Sequence, residues 1–257
     1  MDKSEIRKKL RLGFIVIGFL FIVELTEFLV GVNMPSGAWP ILAVLVIPGF
    51  TPILYFFMHI TQLRRRRIEK KMVTANLTQG EHRLAINRIG LWLFILSESF
   101  LFIALIFTRF YLLGVERPAE LNQLLGLAIS YILLLSSLTA YRAEVAAAYG
   151  EKKSFRRNII FTISLGLLFL MGVGLEWTEA FHFFPPSTLF GTVFFTLTGF
   201  HAFHLITGLL ALLVILIMDK NGRFTPENYW GVEGAVKYWH FVDVAWVFIF
   251  PTLYLVS

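Results

Sequence analysis

The apolar residues of this chain fall into seven long runs, at about 13–32, 40–62, 87–113, 121–147, 157–177, 188–217 and 236–256. Short polar segments rich in Lys, Arg, Glu, Gly and Pro separate them. Each run reaches the roughly 20 residues that a helix needs to cross the hydrocarbon of a bilayer. The runs are continuous and rich in Leu, Ile and Phe, with no two-residue alternation, which argues against strands. Inside lipid every backbone N–H and C=O needs a partner within its own segment, so continuous runs predict helices. The pattern therefore predicts an all-α integral membrane bundle of about seven transmembrane helices.

The basic residues orient that bundle. The N-terminus and the segments 63–88, 142–157 and 218–237 hold 21 of the 23 Lys and Arg residues. Only Arg109 and Arg117 fall on the other side. This bias predicts an N-in, C-out chain with a cytoplasmic N-terminus. It also explains the net charge of +6 as a topology signal, and nucleic acid is not an expected partner. The basic start and first apolar run resemble a signal peptide, but the run is long and no small-residue cleavage site follows, so a retained helix is expected. Arg64, Arg65, Arg66 and Arg67 form a stop-transfer anchor and are candidates for lipid headgroup contact. The segment 63–86 reads as a basic cytoplasmic linker between a two-helix part (1–62) and a five-helix part (87–257). Glu116, Glu120, Glu176 and Glu179 read as a solvated rim on the opposite side.

Composition then narrows the chemistry. Apolar residues make up 57% of the chain and charged residues 16%, against about 25% charged in soluble domains. There is no cysteine, which excludes disulfides, thiolate metal sites, iron–sulfur clusters and thioether-linked haem. No phosphate-cradling glycine loop and no hydrolase nucleophile elbow occurs.

Ionisable residues inside the apolar runs are costly and are functional candidates. Glu98 sits near the middle of its run, about 15 Å from either end at the helical rise, too deep to reach water by snorkelling. It is expected to be protonated, hydrogen-bonded to another helix, or reached by water. His201 and His204 lie three apart on one helix side. Metal ligation would need a third partner, so interhelical hydrogen bonding is the favoured expectation. His240 and Asp243 share the same spacing and are expected to pair. Glu24 and Glu27 lie toward the outer end of the first run, and Glu233 lies just ahead of the last run, where it could face water.

Several motifs occur in a common order across 87–257. Lys237-Tyr238-Trp239-His240-Phe241-Val242-Asp243-Val244-Ala245-Trp246-Val247-Phe248 resembles the last-helix signature of subunit III of the haem-copper (cytochrome c) oxidases. Thr198-Gly199-Phe200-His201-Ala202-Phe203-His204 resembles that family's Thr-Gly-Phe-His-x-x-His segment, and Gly191-Thr192-Val193-Phe194-Phe195 its Gly-Ser-x-Phe-Phe. Gly231-Val232-Glu233-Gly234, Glu176-Trp177-Thr178-Glu179-Ala180 and Ser97-Glu98-Ser99-Phe100-Leu101-Phe102 match further elements, the last carrying the family's buried carboxyl. Ser99 replaces a usual Val, and Pro251 interrupts the last run, where a kink is expected. Tyr55-Phe56-Phe57-Met58-His59-Ile60 resembles a segment of prokaryotic oxidase subunit IV, so 1–62 reads as a subunit IV-like pair or as the first two helices of subunit III.

The resemblance implies a non-redox subunit in a bacterial plasma membrane. It would bind catalytic subunit I and subunit II, which would carry the haem and copper, while this chain would hold no cofactor. It would retain phospholipid in a cleft and support proton uptake in aerobic respiratory electron transport coupled to proton translocation. Alternatives are an accessory subunit of a quinol oxidase or nitric oxide reductase, a proton-coupled transporter using Glu98, and a membrane cytochrome.

Overall fold

The computed structural model describes residues 79–114 and 117–256, with the isolated positions Ile15 and Ile22. The first two predicted spans and most of the basic linker lie outside the described residues. What is described is all-α. Five helices follow one another: α1 Gln79–Leu113, α2 Gln123–Ala148, α3 Lys152–Phe183, α4 Leu189–Lys220 and α5 Trp230–Phe250. A single π-helical turn, Pro251–Leu255, continues α5.

The five later apolar runs thus become helices, and most of the helices are longer than the runs. α3 extends five residues earlier and six later than the 157–177 run. Hydropathy marks where lipid begins, whereas a helix continues into the headgroup region until a cap stops it. The stops are visible locally. Asn122 caps α2 by accepting from the Leu125 N–H at 3.0 Å, and Thr188 caps α4 by accepting from the Gly191 N–H at 3.1 Å. Gly114, Gly150 and Gly222, with φ of 59°, 74° and 70°, turn the chain out of α1, α2 and α4 in a backbone region that favours glycine. At Pro251 the backbone widens rather than breaking: Val256 N–H donates to the Pro251 carbonyl five residues back, at 3.1 Å.

Four of the described helices are long and apolar enough to cross a membrane: residues His82–Leu113, Gln123–Ala148, Lys152–Phe183 and Leu189–Lys220. α5 differs because it is the inner helix. It packs against α1, α2 and α4, and Trp239, Val242, Trp246, Ile249 and Phe250 are fully buried. A helix shielded by its neighbours can carry polar residues that a lipid-facing helix cannot. The tightest pairing is α2 with α3, joined by only the three residues 149–151. α1 lies at the periphery and turns Ile89, Leu93, Phe100 and Phe107 outward.

Small residues set the helix spacing around α5. A Cβ on Gly166 of α3 would meet the Trp239 ring at 2.6 Å, and one on Gly208 of α4 would meet it at 2.9 Å. The indole of Trp239 therefore occupies a notch that two glycines leave open. Gly90 of α1 has nothing within 4 Å. Gly166→Leu or Gly208→Leu is expected to lower stability by about 1–3 kcal/mol through overpacking, while Gly90→Ala causes no loss. Thermal unfolding of the purified protein in detergent, followed by circular dichroism, checks all three.

Candidate functional site

Polar side chains inside the bundle gather at three depths, and each group ties separate helices together. The middle group contains Glu98. Its Oε2 lies 3.1 Å from Nε2 of His204 on α4. The other ring nitrogen, Nδ1, lies 2.7 Å from the Phe200 carbonyl. A carbonyl only accepts, so Nδ1 carries a proton. The Nε2–Oε2 contact then holds exactly one more, on the carboxyl with a neutral ring or on the ring with a carboxylate. In both forms the pair has no net charge, which is what a low-dielectric setting favours. Phe102 closes over His204 edge-on, with centroids 5.0 Å apart. The Tyr238 and Thr207 hydroxyls are 2.7 Å apart one turn away, and Thr207 also donates to the His204 carbonyl. His204 is buried, whereas the Glu98 side chain keeps 23% of its exposure.

His201 behaves differently from the interhelical hydrogen bonding expected of it. It is 1% exposed, and neither ring nitrogen has a hydrogen-bond partner. Phe102, Phe169 and Trp246 surround its ring. Three residues span 300° of helix, so His204 reaches α1 while His201 turns toward α3 and α5.

His240 and Asp243 do come near each other, with Nδ1 3.7 Å from Oδ2. The same Nδ1 makes its hydrogen bond to Ser137 Oγ of α2 at 2.7 Å, and both Asp243 oxygens are without one. The expected pair is thus a charge contact, with Ser137 taking the hydrogen bond. Two indoles complete the α5–α2 seam: Trp239 Nε1 donates to Ser136 Oγ at 3.0 Å and Trp246 Nε1 to Ser130 Oγ at 2.8 Å.

At the Lys- and Arg-rich end, Glu233 is buried instead of facing water. Arg88 of α1 donates to it twice, from Nε at 3.0 Å and from Nη2 at 2.6 Å, and Lys237 donates to it from one turn on. Lys237 lies 4.0 Å from Glu144 of α2, so the cluster joins α1, α2 and α5. Burial pushes the Glu233 carboxyl up, but the Arg88 and Lys237 cations outweigh it and hold its pKa below the ordinary carboxylate value. A second tie at this end joins α3 to α4, with Arg156 Nε 2.5 Å from Asp219 Oδ2.

At the other end Glu176 departs from the solvated-rim expectation. It is 2% exposed, and Tyr254 of the π-helical turn donates to its Oε2 at 2.5 Å. Arg109 is wholly buried and donates to the Thr252 carbonyl at 3.1 Å and to that of Gly114. Neither role is legible in the sequence; the isolation of Arg109 from the other basic residues is the signal that could have found it. Arg64, Arg65, Arg66 and Arg67 lie outside the described residues. Among the described residues, no three His, Cys, Asp or Glu side chains are grouped as a metal site requires.

Comparison with known proteins gives one consistent family. Residues 42–257 match the family model described as cytochrome c oxidase subunit III. The cytochrome c oxidase subunit 3 of Oncorhynchus mykiss is 32% identical over 244 residues, covering 84% of this chain and 93% of the relative. A probable cytochrome c oxidase subunit 3 of Nocardia farcinica is 33% identical over 63% of this chain and 84% of the relative. The cytochrome c oxidase subunit 3 of Marchantia polymorpha is 32% identical over 72% of this chain and 75% of the relative.

The inner-end cluster has a measurable pH signature. A carboxyl whose pKa is depressed on folding stabilises the fold above its unfolded value of about 4.3, and loses that contribution as pH falls through the folded value. Stability is therefore expected to drop as pH is lowered below about 4.3, and less steeply in Glu233→Gln. Arg88→Ala is expected to cost about 3 kcal/mol at neutral pH by stranding a buried carboxylate. Denaturation in detergent at graded pH measures both.

Proposed function

The chain belongs to the cytochrome c oxidase subunit III family, and from that premise we propose that it is the non-redox subunit III of a cytochrome c oxidase, a lipid-embedded support for the catalytic subunit. A subunit III role in a haem-copper oxidase follows from the family itself. The reading adds that haem and copper reside in catalytic subunit I and subunit II, that phospholipid fills a cleft between the two-helix and five-helix parts, and that the N-terminus faces the cytoplasm.

The Glu98–His204 contact carries the proposal. A carboxyl and an imidazole that share one proton at 3.1 Å form a neutral unit able to stand in hydrocarbon. The buried ring fixes one side of the unit, while the partly exposed carboxyl is the side through which a proton is exchanged. The other interior polar groups hold helices together. Trp239, Trp246 and Glu233 bind α5 to α2 and α1, which makes the bundle a firm surface for a larger partner. Support for proton uptake is thus electrostatic and positional, and electron transfer to oxygen belongs to the neighbouring subunits.

Glu98→Gln tests this directly. The amide preserves shape and hydrogen bonding but removes the exchangeable proton. Normal yield and haem content of the purified complex are expected, together with slower proton uptake or faster inactivation during turnover. Oxygen consumption and pH-indicator traces on vesicle-reconstituted complex report both. Unchanged kinetics would leave Glu98 with a purely structural role.

A further inference from the structure

At the Lys- and Arg-poor end, an open pocket of about 180 Å³ lies between the α1–α2 connection and the end of α3. Glu120 and Asn122 line it from the connection, Glu176, Glu179 and Phe183 from α3, and Phe184 from the turn beyond. Among the described residues, no Lys or Arg lines it. Glu176 and Glu179 are three apart and share one side of α3.

The buried member of this set is incomplete. Glu176 is 2% exposed, and Tyr254 satisfies Oε2, but Oε1 has no hydrogen-bond partner. Leaving a buried acceptor without a partner is costly, and the two further carboxylates add like charge around the same small space. One hard cation relieves both. The donors are all oxygen, which suits Mg²⁺ and Ca²⁺ and not softer metals. Since no three of these groups are close enough to ligate one ion directly, the ion keeps water between itself and the protein, as Mg²⁺ commonly does.

We propose that this pocket binds one hydrated divalent cation of the Mg²⁺ type, which clasps the α1–α2 connection to the end of α3. The exposed Glu120 and Glu179 attract the ion, and the unpartnered oxygen of Glu176 anchors its water shell. The occupied site joins elements that otherwise meet there through apolar contacts around Phe184 and Leu121.

The test uses the intact detergent-solubilised complex, washed with chelator. Thermal release of this subunit is followed while MgCl₂ is added, against NaCl at equal ionic strength. A saturable rise of a few degrees in the release temperature, specific to MgCl₂, is expected. It should be lost in Glu179→Gln and in Glu120→Gln, both surface changes that spare the buried Glu176–Tyr254 bond. A response to MgCl₂ no larger than to NaCl would overturn the proposal, and so would an undiminished MgCl₂ response in both variants; a bridging water alone would then account for the pocket.

Discussion

Two indole N–H groups seven residues apart on α5 each need an acceptor inside hydrocarbon, and two serines of α2 supply them. Trp239 reaches Ser136 and Trp246 reaches Ser130. Water cannot serve these groups in a bilayer, so losing either acceptor would leave a buried donor unpaired. The seam fixes the rotation of α5 about its own axis. That rotation in turn decides where every other polar residue of α5 points: Glu233 toward Arg88, Tyr238 toward Thr207, and Asp243 toward His240 and Ser137.

Packing reinforces the same choice. Trp239 fits the space that Gly166 and Gly208 leave between α3 and α4, and Trp246 meets Phe169 edge-on with centroids 4.9 Å apart. Between membrane helices there is no hydrophobic gain from leaving lipid, so close contact at small residues and interhelical hydrogen bonds supply most of the association. α5 uses both. It is also the helix whose composition is least like that of a lipid-facing span, which follows from its place inside the bundle.

α1 depends on polar ties to a greater degree, because most of its apolar surface faces outward. It is held by Arg88 to Glu233 at one end, by Glu98 to His204 in the middle, and by Arg109 to the Thr252 carbonyl at the other end. The functional carboxyl thus sits on the least enclosed helix while its partner is buried. That asymmetry gives Glu98 a route outward without exposing the rest of the network. The π-helical turn serves the far end in a similar way, since it offers the Thr252 carbonyl to Arg109 and aims the Tyr254 hydroxyl at Glu176.

The sequence by itself determined the all-α class, the positions of the last five helices to within a few residues at most ends, and the family. It also singled out Glu98, because a charge in the middle of an apolar run is visible without any neighbour. It did not determine which groups meet. Glu98 and His204 are 106 residues apart, and nothing in their local patterns distinguishes His204, which pairs, from His201, which does not. Glu176 and Arg109 looked like surface residues near the ends of their runs and are buried, while Glu233 looked solvated and is clasped by two cations. Hydropathy reports depth along a helix, but a partner is chosen by direction around it. Direction is set only when the helices pack, and here the glycine notch and the indole–serine seam made that choice.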